Sequence, residues 1–178
     1  MTDVRIETER LLLRPPLQQD FERYAELYAD EEAARHVGGH VPRAIAWRKF
    51  LTMAGAWSIQ GFAMFSVIER AGGRWLGQLG PWKPDGWPGN EVGWAFHPDA
   101  WGAGYATEAG VAAMDWAFDR LGWEDVIHCI APANAASKRL AARLGSGLLR
   151  SGRLPAPYDA EPTEIWGQDR AAWRARPR

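Results

Sequence analysis

Residues 101–106 read Trp101-Gly102-Ala103-Gly104-Tyr105-Ala106, between the apolar run "EVGWAFHP" and a helical stripe that opens at about Ala106. With no side chains at Gly102 and Gly104, successive backbone N–H groups lie open to a ligand, and the positive end of the following helix adds to them. The chemistry on offer is phosphate binding. A Gly-x-Gly pair alone serves a tight turn equally well, so the strand-loop-helix setting carries the reading. Two familiar phosphate motifs do not fit. No Gly-Lys-Ser/Thr follows the glycines, and a dinucleotide fold needs a third glycine in a strand-helix-strand unit near the chain start.

The other reactive side chains are read more plainly. His97 precedes Pro98 beside the loop with no orienting acid evident, and is expected to be structural or solvent-facing. His36, His40 and His128 lack ligand spacing and Cys129 has no companion, so no metal site is expected. Cys129, inside "DVIHCIAP", reads as a small core residue. Lys138, Arg139 and Arg143 could meet phosphates, but a solvated helix face is the default reading. The chain carries 11 tryptophans. Most are expected to fill the core and the interfaces between layers, with an aromatic-lined pocket as the alternative.

Several elements must position these residues. "RLLLRPP" (10–16) reads as a first strand closed by prolines. Phe21, Tyr24, Ala25 and Tyr28 recur at helical spacing between Gln18 and Asp30, and Trp47, Phe50, Leu51, Ala54 and Trp57 predict a second helix ending near Gly61. "FAMFSVIER", "WLGQLGPW" and "NEVGWAFHP" then read as an antiparallel meander. A helix from Thr107 to Leu121 follows, then a strand at "DVIHCIAP" buried on both faces. A short helix at "ASKRLAARLG" with Gly145 at its end precedes two strands around Leu148–Leu154 and Thr163–Gln168. Helices enclosing a mixed sheet of an α/β (α+β) fold follow from this order, with no repeat or linker dividing residues 1–178.

Composition narrows the partners. A length of 178 residues suits one domain. A net charge of -1 gives no basic field to draw nucleic acid or acidic membranes. The charged N-terminus lacks a signal-peptide centre, and no run approaches the ~18 residues of a membrane span. A soluble, cytoplasmic protein is expected, in keeping with the single cysteine.

"WGAGYATEA" after "EVGWAFHP", then "PANAASKRLAARLGS", together with the opening "IETERLLLRPP", resembles the GCN5-related N-acetyltransferase (GNAT) superfamily, in the branch similar to the ribosomal-protein N-terminal acetyltransferases RimJ and RimL. The resemblance runs from about Ile6 to Gly147. It implies a mixed sheet of about six to seven strands, splayed between the fourth and fifth, with about four helices. It also implies acetyl-CoA as cosubstrate, with pyrophosphate on Trp101, Gly102, Ala103, Gly104, Tyr105 and Ala106. Trp101 departs from the family's Arg/Gln, which removes one side-chain hydrogen-bonding group from a site built mainly of backbone donors. The pantetheine arm is implied to pair with the strand at Trp94, Ala95 and Phe96, and Asn134 to point into the cofactor cleft.

The resemblance further implies two catalytic roles. Glu91 stands where the branch has a glutamate proposed as general base, five residues before Phe96, or about 17 Å by strand rise. Ser137 matches the serine of an Asn-x-x-Ser pattern and would donate to the departing thiolate; its other reading is a helix-start residue satisfying backbone donors. The expected reaction is direct attack by a primary amine, on a small molecule or a protein N-terminus, in a ternary complex. A homodimer is the assembly considered. The first two helices, the Trp82–Trp87 loop and the C-terminal strands are expected to build the acceptor region, with Glu31, Glu32 and Asp85 available to a cationic amine. A catalytically silent acyl-CoA-binding module and a Trp-rich ligand-binding domain are the alternatives.

Overall fold

The computed structural model describes residues 4–176. The first strand is a hairpin: β1 (Ile6–Glu7) pairs with β2 (Leu11–Arg14), and Pro15 and Pro16 end it. A single 3-10 turn, Gln18–Asp20, leads into α1 (Phe21–Ala29). Asp20 fixes that entry. It is 3% exposed and accepts from both guanidinium arms of Arg14, from the Leu17 N–H and from the Ser66 hydroxyl. The short α2 (Glu31–Ala34) is capped by the Asp30 carboxylate, and α3 (Arg43–Gln60) ends at Gly61.

The meander follows as β3 (Phe65–Glu69), β4 (Trp75–Trp82) and β5 (Glu91–Phe96). Next come α4 (Tyr105–Asp119), β6 (Asp125–Ile130), α5 (Ala135–Arg143), β7 (Gly147–Gly152), β8 (Thr163–Asp169) and α6 (Arg170–Ala175). Among the described residues the strands form one sheet in the order β1-β2-β3-β4-β5-β6-β8-β7. Eight strands and six α-helices exceed the expected counts. The surplus elements β1, α2 and α6 are too short to show a hydrophobic period, and local contacts define two of them: Asp30 and Asp169 cap α2 and α6 by accepting from Ala33 and Ala172.

The two faces of the sheet carry separate cores. On one, Leu11, Leu13, Phe65, Val67, Val92 and Phe96 pack against the alanine-rich stripe of α4. On the other, Ile68, Trp75 and Ala95 meet Phe21, Tyr24 and Tyr28 of α1 and Phe50 of α3. Tryptophans 57, 75 and 173 are buried, Trp101 is exposed, and the others are half-buried. Core filling therefore accounts for some of them and the cavity described below for others. Among the described residues, no helix is long and apolar enough to cross a membrane, and no cluster of His, Cys, Asp and Glu could hold a metal.

Candidate active site

β5 pairs with β4 along its whole length, from Gly77↔Phe96 to Trp82↔Glu91, and β6 pairs equally fully with β8. Between these two half-sheets the parallel β5–β6 pair is registered only at Glu91↔Ile127, with the Ile127 N–H donating to the Asn90 carbonyl at 2.8 Å. Beyond that point the strands part, and side chains span the gap. Glu91 Oε1 accepts from the Cys129 N–H at 3.0 Å. His128 Nδ1 lies 2.6 Å from the Val92 carbonyl and Nε2 lies 3.0 Å from the Ser146 hydroxyl. Burial holds His128 neutral, pushing its pKa down to about 4. Because a carbonyl only accepts, Nδ1 carries the proton and Nε2 accepts from Ser146.

The ladder decides which backbone groups face the gap. The His97 N–H donates to the Leu76 carbonyl on β4, so by alternation the main chain of Ala95 also faces β4, opposite Gln78. The main-chain groups of Trp94 and Phe96 turn toward the splay. Of the three residues expected to pair with a pantetheine arm, Ala95 is thus committed to the sheet. The Trp101 indole N–H donates to the Phe96 carbonyl at 2.9 Å, so this tryptophan reinforces the end of β5.

At the loop, Gly102 and Gly104 have φ of 75° and 80°, a left-handed backbone that other residues avoid. A Cβ at Gly102 would meet nothing within 4 Å, leaving the approach to the backbone open. Gly104 is the N-cap of α4 and provides no side-chain cap, so the first N–H groups of the helix remain for a ligand. These are the donors a pyrophosphate needs, and the loop fits one. Arg10 had no role in the sequence reading. Its Nη1 donates to the Ala103 carbonyl at 2.9 Å, its Nε donates to Glu108 at 2.7 Å, and its guanidinium lies 4.7 Å from the Tyr105 ring centre. The first hairpin therefore anchors the loop across nearly a hundred residues, a link with no local signature.

Asn134 caps α5, its side chain accepting from the Ser137 N–H at 3.0 Å. The capping role considered for Ser137 belongs to Asn134. Ser137 Oγ instead accepts from the Trp94 indole N–H at 3.1 Å, and the Trp94 ring lies 4.8 Å from that of His128. Lys138 departs from a freely solvated helix face, since its Nζ donates to the Pro132 carbonyl and approaches Glu164. His97 does meet acids: Asp99 at 2.9 Å and Glu26 at 3.4 Å.

A cavity of about 400 Å³ opens beside the splay. It is walled by Lys49 and Met53 of α3, Trp82 at the end of β4, Trp87 of the loop after it, and the 154–158 segment, with Glu91, Cys129, Trp94, Asn134 and Ser137 on its inner side. Asp85 reaches this cavity, whereas Glu31 and Glu32 are exposed on α2 outside it. Glu91 is 6% exposed and also accepts from the Trp87 indole at 2.5 Å. Burial raises its pKa to about 7, against the opposing pull of the two donors. Besides the Cys129 N–H and the Trp87 indole, the Cys129 thiol also bonds to this carboxylate, which lines the cavity. Gly93 makes room for it, since a Cβ there would lie 2.7 Å from Met64 Cε and 3.4 Å from Glu91 Oε1.

A mixed sheet parted between two parallel strands, with an uncapped glycine loop at the end of one and a buried carboxylate at its start, defines an acyl-transfer fold. The acetyltransferase (GNAT) domain family matches residues 10–146, and the chain belongs to it. An acetyltransferase from Agrobacterium tumefaciens strain C58 superposes with a TM-score of 0.82 at 29% identity, over 96% of both chains. The uncharacterized N-acetyltransferase YnaD of Bacillus subtilis strain 168 is 25% identical over 80% of this chain and 82% of its own. The B. subtilis protein YkkB is 32% identical across 48% of this chain, and the match spans about half of YkkB's length (51%). An aminoglycoside acetyltransferase solved with coenzyme A shares the fold, with a TM-score of 0.74 at 18% identity over 92% of this chain and 97% of that one.

Proposed function

We propose that this chain, as one domain over residues 1–178, is an acetyl-CoA-dependent N-acetyltransferase acting on a primary amine by direct attack in a ternary complex. The observation that carries the reading is Glu91: a buried carboxylate with a pKa near 7, placed where β5 and β6 part and beside an aromatic-walled cavity. Acetyl-CoA supplies the activated acyl carbonyl. The Gly102–Ala106 backbone and the start of α4 hold its phosphates, while the cleft-facing main chain of Trp94 and Phe96 aligns the arm. Glu91 takes a proton from the substrate ammonium, and the neutral amine so formed attacks the acetyl carbonyl, the C–S bond breaking as the thiolate leaves. The Trp94 N–H, aimed into the splay, stabilises negative charge developing on the carbonyl oxygen. Because Ser137 Oγ already accepts from Trp94, its own hydrogen is free to pass to the departing sulfur. The motifs "WGAGYATEA" and "PANAASKRLAARLGS" support the RimJ/RimL-like branch. The lone Cys129 supports a reducing, cytoplasmic setting.

The test is twofold. Acetyl-CoA should raise the melting temperature in a concentration-dependent way, and a panel of amines should release free CoA. Binding without release on any amine or peptide N-terminus would overturn the transferase reading.

A further inference from the structure

Of the lysines and arginines, only Lys49 is in the cavity wall among the described residues. It is half-buried. Its Nζ lies 5.2 Å from the centre of the Tyr28 ring and 5.6 Å from that of Tyr158, and it donates to the Tyr158 hydroxyl at 3.3 Å. Gly38 makes the space: a Cβ there would lie 2.9 Å from this Nζ and 3.5 Å from Tyr158 Cε1. The loop before α3, α3 itself and the 154–158 segment thus converge on one ammonium. Among the described residues it has no carboxylate within ion-pair distance.

Two aromatic faces favour a cation without neutralising it, so the charge stays unmatched inside a cavity where an anion gains more than in water. The other titratable groups of the wall are placed differently. Asp85 is exposed at the rim, His36 is exposed with its pKa lowered by partial desolvation beside Arg35, and Glu91 and His128 lie at the splay. Lys49 is on α3, whereas Glu91 opens β5. Tyr28, beneath the ammonium, accepts from Gln78, which is paired with Ala95, four residues or about 13 Å along β5 from Glu91.

We infer that Lys49 receives an anionic group of the acceptor. The acceptor is then an amphoteric molecule: a primary amine that reaches Glu91, with a carboxylate several bonds away that pairs with Lys49. This inference rests on the transferase reading for the direction of the amine, and its test separates the two claims.

Linear amino acids of two to eight carbons, and their terminal amides, are titrated by calorimetry into the CoA-bound protein and into Lys49→Met and Lys49→Arg. Acids of intermediate length should bind the unaltered protein at least about tenfold more tightly than their amides. Lys49→Met should abolish that preference and Lys49→Arg keep part of it, with the acetyl-CoA thermal shift unchanged in both. Equal binding of acids and amides, a preference that survives in Lys49→Met, or no binding by any acid would each overturn the inference. CoA release is followed separately: acids that bind with the expected preference but are never acetylated would sink the transferase reading and leave the anion site standing.

Discussion

Replacing Glu91 with Gln keeps its size and removes its charge, and two measurements should move together. Its folded pKa is about 7 against an ordinary 4.5. The folded state therefore binds the proton more tightly than the unfolded chain, and the protein loses stability as pH rises through that interval. At 1.36 kcal/mol per unit the loss approaches about 3 kcal/mol once pH exceeds the folded pKa. Glu91→Gln has no such loss. Its stability relative to the unaltered protein, read from urea midpoints, should grow by about 3 kcal/mol between about pH 4 and pH 8 and then level. Its turnover should fall by on the order of 10²–10⁴, the usual range for a removed acid-base group. The kcat/KM limb that rises through a midpoint at about pH 7 should vanish, leaving only the rise from the amine's own deprotonation. A stability gap that is flat across pH would refute the buried-carboxylate argument. Turnover within twofold of the unaltered protein would refute the general-base role.

Ser137→Ala should lower kcat by on the order of 10² with little change in KM. Trp94→Phe removes the indole donor to Ser137 and part of the ring packed beside His128, and should cost about 1–2 kcal/mol in the barrier; steady-state kinetics on an identified amine separates the two. Gly104→Ala forces a side chain to φ of 80° and should cost about 1–2 kcal/mol while raising the acetyl-CoA KM. Arg10→Ala should raise the same KM by releasing the Ala103 carbonyl, and a thermal-shift titration with acetyl-CoA would show either effect. Asp20→Ala leaves the 8%-exposed Arg14 without its carboxylate and should destabilise the fold by about 3–5 kcal/mol in urea unfolding, with no direct effect on turnover at temperatures where the variant is folded.

The long elements were legible because their apolar residues keep a period. Tyr105–Asp119 and Arg43–Gln60 appear within two to four residues of where spacing places them, and Glu91–Phe96 and Asp125–Ile130 read as strands from their apolar runs. The short α2 and α6 were not legible, since one turn cannot display a 3.6-residue stripe and each rests on an aspartate cap. In the site, the glycine loop was visible because φ near 80° selects glycine. The burial of Glu91 was not visible, because a glutamate at a strand end reads the same whether solvent or Trp87 and Cys129 meet it. Lys49 was passed over for a similar reason: its partners come from positions 28, 38 and 158.

The sequence by itself determined the strand-loop-helix around Gly102–Gly104, the apolar runs of the strands buried on both faces, and the family these motifs resemble. All of these depend on residues near one another in the chain. Only the tertiary structure decided where the sheet parts, which of Trp94, Ala95 and Phe96 turns its main chain to the gap, and that Arg10 holds the loop. It also decided that Glu91 is desolvated enough to titrate near neutrality. Each of these depends on which distant segments exclude water from a group, and that is a property of packing rather than of spacing.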